Sequence, residues 1–283
     1  MTRVHFWGIR GSIPSSSQKT IGYGCNTPCV SVEGLKNTSL ILDAGTGIYP
    51  LGKTLVGENK NIVILMSHFH WDHIQGLPFF MPFYEKGRSI FIFSPDKTQM
   101  KLIFKDQMDG KRFPILFSDL ASPPQFFSLN DPSLKDLLEN KIQLKTIQNQ
   151  HSCLANGIRL QIENKSLLYC TDNELDAPPH NTKRYQEFVE FCHGASILIH
   201  DCQYLDNETQ VKKGWGHSFF SDVLTLGKKS QAETLVLFHH DPDRSDTELD
   251  RLQTECHNWT RNNGFPNRCV VAKEGMALSL TWQ

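Results

Sequence analysis

Four side chains able to bind metal fall within six positions in the run Leu65-Met66-Ser67-His68-Phe69-His70-Trp71-Asp72-His73-Ile74-Gln75-Gly76. Imidazole nitrogens and carboxylate oxygens, without thiolate, suit Zn²⁺, Mn²⁺ or Fe²⁺. The run follows the apolar segment Val63-Ile64-Leu65-Met66 and closes on a glycine. In a turn just past a strand end, His68 and His70 can point one way and Asp72 and His73 another, which suits two adjacent ions. One histidine in a polar loop would carry little weight; three with an aspartate at this spacing carry the inference. Two ions about 3.5–4 Å apart can clamp a bridging hydroxide and a substrate oxygen, so the chemistry in view is hydrolysis.

Such a turn needs strands behind it. Short β-like runs bounded by Gly, Asn or Pro are expected at residues 4–7, 29–32, 39–43 and 61–67. The last is continuously apolar at residues 63–66, as a strand covered on both faces would be. Further strands are expected at residues 90–93, 144–147, 158–162, 167–170, 197–200, 235–238 and 269–271. Helical patterns fit residues 97–107, 185–192, 220–230 and 247–262. Strands first, then strands interleaved with helices, imply sheets with helices packed outside, in one layered α/β domain over residues 1–283. Residues 106–132 hold Phe113-Pro114, Ser122-Pro123-Pro124 and Phe126-Phe127 without clear periodicity. They read as a long ordered loop, either an insertion serving as a lid or a surface loop whose aromatics pack down on the domain.

The H-x-H-x-D-H arrangement resembles the signature of the metallo-β-lactamase fold superfamily, and the resemblance extends through most of the chain. It implies an αββα sandwich of two mixed β-sheets with outer helices, and metals held at one edge by loops that follow strands. The remaining ligands are implied at strand ends: His151 in Gln150-His151-Ser152, Asp172 in Leu168-Tyr169-Cys170-Thr171-Asp172, and His239 in Leu235-Val236-Leu237-Phe238-His239. His239 fits the family strand better than the adjacent His240, which stays the alternative. The implied sets are His68, His70 and His151 for one ion and Asp72, His73 and His239 for the other, with Asp172 touching both.

Further residues resemble the phosphodiesterase branch of that superfamily, which includes tRNase Z-like enzymes, cyclic-nucleotide phosphodiesterases and phage anti-Pycsar phosphodiesterases. The stretch Gly214-Trp215-Gly216-His217-Ser218 precedes a helical pattern and implies His217 as the general acid, with Ser218 near the substrate. Leu198-Ile199-His200-Asp201-Cys202 ends a strand in His-Asp, implying Asp201 as the group that orients His217 and His200 as a supporting residue. Asp72 counts among the catalytic residues as well as the ligands. The opening Phe6-Trp7-Gly8-Ile9-Arg10-Gly11-Ser12-Ile13-Pro14, leading into Tyr23-Gly24-Cys25-Asn26-Thr27-Pro28-Cys29, resembles bacterial members of the branch. Cys25 stands where they usually carry a second Gly, so a local difference in that loop is expected. Leu42-Asp43-Ala44-Gly45-Thr46-Gly47 matches the superfamily's Asp-x-Gly turn, with Asp43 expected to brace the metal loop.

The resemblance therefore implies a phosphodiesterase with two divalent ions, Zn²⁺ first, acting most readily on a cyclic nucleotide through a metal-bridging hydroxide. The charge of two such ions exceeds that of Asp72, Asp172 and a hydroxide, so an anionic substrate is drawn even to a chain of net charge -1. That charge, with Lys and Arg dispersed, is no footprint for general nucleic-acid binding, and no basic Gly-rich arm for gripping tRNA is found. tRNase Z-like RNA 3′ processing is the runner-up, followed by glyoxalase II-like thioester or lactone hydrolysis. A β-lactamase would usually bring a Cys ligand to its second ion, and a non-enzymatic metal sensor would be expected to have lost ligands. A base could stack on Phe113, Phe126 or Phe127, and a homodimer is expected to complete the pocket. The eight cysteines are scattered, no apolar run approaches a membrane span and no signal peptide is read, so a cytoplasmic protein with buried free thiols is expected.

Overall fold

Apolar periodicity decides which segments become strands. In a computed structural model, which describes residues 2–176, 182–263 and 268–280, the thirteen strands follow the apolar runs. They are β1 (Arg3–Gly8), β2 (Cys29–Glu33), β3 (Thr38–Leu42), β4 (Asn61–Leu65), β5 (Ile90–Ser94), β6 (Gln125–Ser128), β7 (Ile142–Gln148), β8 (Asn156–Ile162), β9 (Lys165–Cys170), β10 (Ile197–Asp201), β11 (Thr234–Phe238), β12 (Arg268–Val271) and β13 (Ala277–Ser279). β4, β10 and β11 are rich in Ile, Val and Leu and buried on both faces, as central strands covered on two sides must be. The helices are α1 (Ile48–Thr54), α2 (Trp71–Ile74), α3 (Lys97–Gln107), α4 (Ser133–Leu137), α5 (Lys183–Cys192), α6 (Thr209–Lys212), α7 (Phe220–Lys229) and α8 (Asp246–Asn262). Three of them begin at a side chain that satisfies orphan amides: Asp96 caps α3, Thr182 caps α5, and Ser245 with Glu248 forms a capping box on α8.

One sheet runs β13-β1-β2-β3-β4-β5-β6 and the other β12-β11-β10-β9-β8-β7. Both are mixed: β3 to β6 pair in parallel, as do β9 to β12, while β1–β2 and β7–β8 are antiparallel. The inner faces meet in a core that includes Phe6, Val63 and Phe93 from one sheet and Tyr169, Ile199 and Phe238 from the other. Outside the first sheet, α1 and α3 bury Leu51, Met100 and Phe104. Outside the second, α5, α7 and α8 bury Phe188, Leu224 and Leu252. The expected αββα sandwich is the fold. No described helix is long and apolar enough to cross a membrane.

Residues 106–132 are not all loop. They contain a 3-10 turn at Phe117–Asp119 and strand β6, which extends the first sheet by pairing in parallel with β5. Phe127 stacks on Phe93 against the inter-sheet core, and Phe126 packs beside Phe117 on the outer side. Two aromatics on opposite faces of a short strand fill space on both sides of the sheet edge, which a reading of helical or long alternating periods passes over. β13 and the one- or two-turn helices α1, α2, α4 and α6 were likewise too short to announce themselves.

The expected irregularity at Cys25 is resolved one residue earlier. The left-handed conformation falls on Gly24, at φ 118°, so Cys25 carries no backbone strain.

Candidate metal centre and active site

Three strand ends lead into one space. β3 is followed by Asp43, β9 by Thr171 and Asp172, and β11 by His239. Asp43, Asp172 and His239 have φ of 57°, 53° and 61°, a conformation that L-residues adopt only when their surroundings hold them there. The left-handed residue swings each chain out of its strand and brings the side chains to a common point. The loop after β4 and the one between β7 and β8 supply the rest.

His68, His70 and His151 make one half of the cluster. His70 Nδ1 lies 2.9 Å from His151 Nε2. The outward nitrogens are occupied: His151 Nδ1 donates to the carbonyl of Gly216 at 2.9 Å, and His68 Nδ1 pairs with Ser67 Oγ at 3.0 Å. His68 Nε2 is buried with no hydrogen-bond partner. Burial lowers the pKa of all three rings, which keeps them neutral and leaves lone pairs facing the same space.

Asp72, His73 and His239 make the other half. His239 Nε2 is 3.1 Å from Asp72 Oδ2, and His73 Nε2 is 3.3 Å from His239 Nε2. Asp172 faces both halves. Its Oδ1 is 3.6 Å from the Nε2 atoms of His68 and His151, and its Oδ2 is 3.0 Å and 3.2 Å from those of His73 and His239. Burial disfavours ionised carboxyls, yet the neighbouring histidines hold Asp72 and Asp172 well below the usual carboxylate range. Burial also opposes charge on His73, but Asp72, Asp172 and Asp43 drive its pKa well up. This half is a buried gathering of carboxylates that suits a cation.

An orphaned buried imidazole nitrogen, opposed lone pairs and excess buried carboxylate are satisfied together by divalent ions, and the donor set fits them. His240 does not join it. Its Nε2 lies 3.1 Å from the carbonyl of Ala272, on the far side of the strand, where burial and Arg10 lower its pKa to about 3. Alternation along the chain turns one of two adjacent histidines inward and the other away.

The surrounding braces are specific. Asp43 accepts from His73 Nδ1 at 2.7 Å, Tyr169 Oη at 2.8 Å, and both the amide and hydroxyl of Ser67 at 2.7 Å. This is the expected brace of the metal loop. Gln203 Oε1 accepts from His239 Nδ1 at 3.0 Å. The amide of Ser12 donates to Asp72 Oδ2 at 2.7 Å. That N-terminal loop is anchored by the fully buried Arg10, whose guanidinium donates to the carbonyls of Gly24, Thr20, Asp241 and Arg244. Gly11 must be glycine, because a Cβ there would lie 2.6 Å from the His239 ring.

His217 lies at the seam of the two halves. Its ring stacks on His239 and stands edge-on to His151. Its Nδ1 is 2.6 Å from Asp201 Oδ2, and Asp201 is fixed by the amides of Asp172, Gln203 and Ser218. Burial works against a charged ring, but the Asp201 carboxylate, with Asp172 and Asp72 beyond it, raises the His217 pKa to about 9.

One expected residue lies elsewhere than the sequence implied. Ser218 is fully buried, its hydroxyl donating to the carbonyl of Asn173 at 2.5 Å, so it braces the His217 loop and offers no surface to substrate. Phe113 stands edge-on to Phe79 among the aromatics outside the first sheet. His200 touches none of the seven; its Nδ1 donates to the carbonyl of Asp201 at 2.8 Å and its Nε2 meets Asn173. Sequence reading passed over Gln203, Asn173 and Glu174. Asn173 Oδ1 accepts from the amide of Gln150, beside His151. The Glu174 carboxylate accepts from the amides of Gly214 and Gly216 and so holds the His217 loop. Each lies within two residues of an aspartate at a strand end, the one signal that could have found them.

The model of a family described as "Anti-Pycsar protein Apyc1" matches residues 27–260. The chain is similar to a ribonuclease Z of Methanosarcina mazei, 24% identical over 276 residues, which covers 84% of this chain and 87% of that protein. It is also similar to the zinc phosphodiesterase ELAC protein 2 homolog of Caenorhabditis elegans, 22% identical over 285 residues and 84% of this chain, which spans only 32% of that protein's length. In structure it resembles the metallo-β-lactamase fold protein YhfI from Bacillus subtilis, with a TM-score of 0.70 over 99% of this chain and 100% of the other at 17% identity.

Proposed function

This chain belongs to the Anti-Pycsar protein Apyc1 family, and from that premise we propose that it opens the phosphodiester of a cyclic nucleotide using two divalent ions. It is a metal-dependent hydrolase of phosphodiester bonds, in the phosphodiesterase branch of the metallo-β-lactamase fold. In this reading His68, His70 and His151 hold one ion, Asp72, His73 and His239 hold the other, and Asp172 gives one oxygen to each. Zn²⁺ is the proposed ion, and Mn²⁺ or Fe²⁺ also suits the nitrogen and oxygen donors. Bound ions would provide a nucleophile from water near neutral pH and offset charge building on the phosphoryl oxygens.

The observation that carries the reading is the Asp201–His217 pair beside the cluster. Because His217 Nδ1 is hydrogen-bonded to Asp201 Oδ2 at 2.6 Å, the proton free to leave sits on Nε2. His217 gives that proton to the departing alkoxide of the sugar. Asp201 keeps the ring in place and favours its charged form. A thioester's thiolate leaves readily without such help, whereas an alkoxide needs an acid, so the pair favours a phosphodiester substrate. The near-neutral chain favours a small anion over a long polyanion.

Phe113 with Phe79, and the exposed Trp215 two residues before His217, are the rings offered to a base. Residues 109–120, ahead of β6, are the part of the 106–132 insertion that remains for a lid. A homodimer accords with the exposed Trp71 within the metal loop and Phe79 and Met81 on the turns after it. All eight cysteines are free, in keeping with a reducing cytoplasm.

The test is to incubate metal-loaded protein with cyclic mononucleotides, cyclic dinucleotides and a tRNA precursor. Rapid opening of cyclic nucleotides with the precursor untouched supports the reading. Cleavage of the precursor alone overturns it in favour of RNA 3′ processing.

A further inference from the structure

One thiol borders the cluster without a part in the scheme above. Cys153 lies two residues beyond His151, in the loop between β7 and β8, and is only half-buried. Its Sγ and one nitrogen each of His68, His70 and His151 all lie within 4.8 Å of one another. His68, whose buried Nε2 has no hydrogen-bond partner, belongs to the same group of donors. Among the described residues no other cysteine joins a group of metal-binding side chains. Cys170 and Cys192 pack in the apolar layer under α5, and Cys256 and Cys269 in the one under α8.

We propose that Cys153 Sγ is a further donor to the ion held by His68, His70, His151 and Asp172, which makes that half-site a set of three nitrogens, one oxygen and one sulfur. The proposal rests on the metal-binding reading and is independent of the substrate. The sulfur and the three nitrogens lie within 4.8 Å of one another, a spread of the size that bonds of about 2.0–2.3 Å to one ion span. On binding, the thiol proton leaves to solvent and a sulfur lone pair enters the coordination shell, with no change of oxidation state. A soft sulfur donor discriminates against Mn²⁺ and in favour of Zn²⁺, Co²⁺ or Cd²⁺, while the carboxylate-rich half does not.

Cobalt(II) reports this directly. Protein loaded with Co²⁺ should show a thiolate-to-cobalt charge-transfer band in the near ultraviolet along with its visible ligand-field bands. Cys153→Ser should keep the visible bands, lose the near-ultraviolet one, and lower Zn²⁺ affinity at one site by at least ~10-fold. A wild-type spectrum without the band, or a band that survives in Cys153→Ser, overturns the proposal. If the variant does not fold, the wild type still decides by mass spectrometry. Iodoacetamide should label Cys153 in metal-free protein and spare it when Zn²⁺ is bound, and equal labelling overturns the proposal. A charge-transfer band in protein that turns over no cyclic nucleotide would leave this inference standing and remove the proposed substrate; turnover without the band would do the reverse.

Discussion

The two halves of the cluster are built on opposite electrostatic plans. His68, His70 and His151 present neutral rings, and His70 is only half-buried. Asp72, His73 and His239 are fully buried, and with Asp172 they gather negative charge that the imidazoles only partly offset. The second half is also held more tightly from outside, by Asp43 on His73, Gln203 on His239 and the Ser12 amide on Asp72. A half made of lone pairs competes for its ion on softness and geometry. A half made of buried charge would, in the proposed two-ion site, retain its ion because releasing it leaves the carboxylates uncompensated. The pair thus teaches that one ion should exchange more readily than the other, although both share one aspartate.

The hardest way to break this comparison is to remove the shared residue. Asp172→Ala should release both ions, seen by elemental analysis, and lower turnover by ~10³-fold or more. Retention of both ions would mean that the halves do not depend on a common carboxylate. His217→Ala should leave both halves filled while lowering kcat by ~10²–10⁴-fold. Normal activity in that variant would remove the acid from the scheme. Gln203→Ala should weaken only the acidic half, by about 10–100-fold in metal affinity. Stepwise titration with a chelating dye would expose an equal loss in both halves, and that result would erase the asymmetry.

The smallest effect lies outside both halves and tests the charge argument by contrast. Asp222, on α7, is half-buried, and Lys213 only partly offsets the carboxyls around it. Burial first, then the nearby Asp206, raise its pKa to about 6. A raised acid pKa stabilises the fold while the group is protonated. That contribution is present below the usual carboxyl pKa and is lost as pH rises through about 6. Asp222→Asn should therefore raise stability at pH 8 by ~1 kcal/mol or less, after screening at a part-exposed site, and change little at pH 4. Thermal unfolding at the two pH values checks it, and an equal change at both would contradict the sign.

The seven cluster residues were legible because their types are costly to bury and they sit at strand ends or in one short run. His68, His70, Asp72 and His73 announce themselves by spacing alone. Asp172 and His239 needed the strands before them to be read first, and the choice of His239 over His240 followed the strand pattern that the fold preserves. The braces were less legible. Gln203 and Glu174 are ordinary polar residues whose partners lie far away in sequence, and it is the parallel pairing of β9, β10 and β11 in one sheet that gathers their loops with His239 and Gly216. Ser218 illustrates the converse. Its neighbour His217 drew it into the site on paper, while the backbone turned its hydroxyl into the interior. Phe126 and Phe127 read as loop aromatics because a four-residue edge strand has too few positions to display a period.

The cluster also bears on how the molecule assembles. Its donors come from both sheets, with His68 to His73 following β4 in one and Asp172 and His239 following β9 and β11 in the other. An ion bound across them is a clasp that only the docked sandwich can close. Metal affinity is then spent on holding the sheets together, and chelation should lower the melting temperature of the whole chain rather than loosen one loop. The same clasp closes segments far apart in sequence, so metal arriving late in folding would lock a topology that the apolar faces had already chosen.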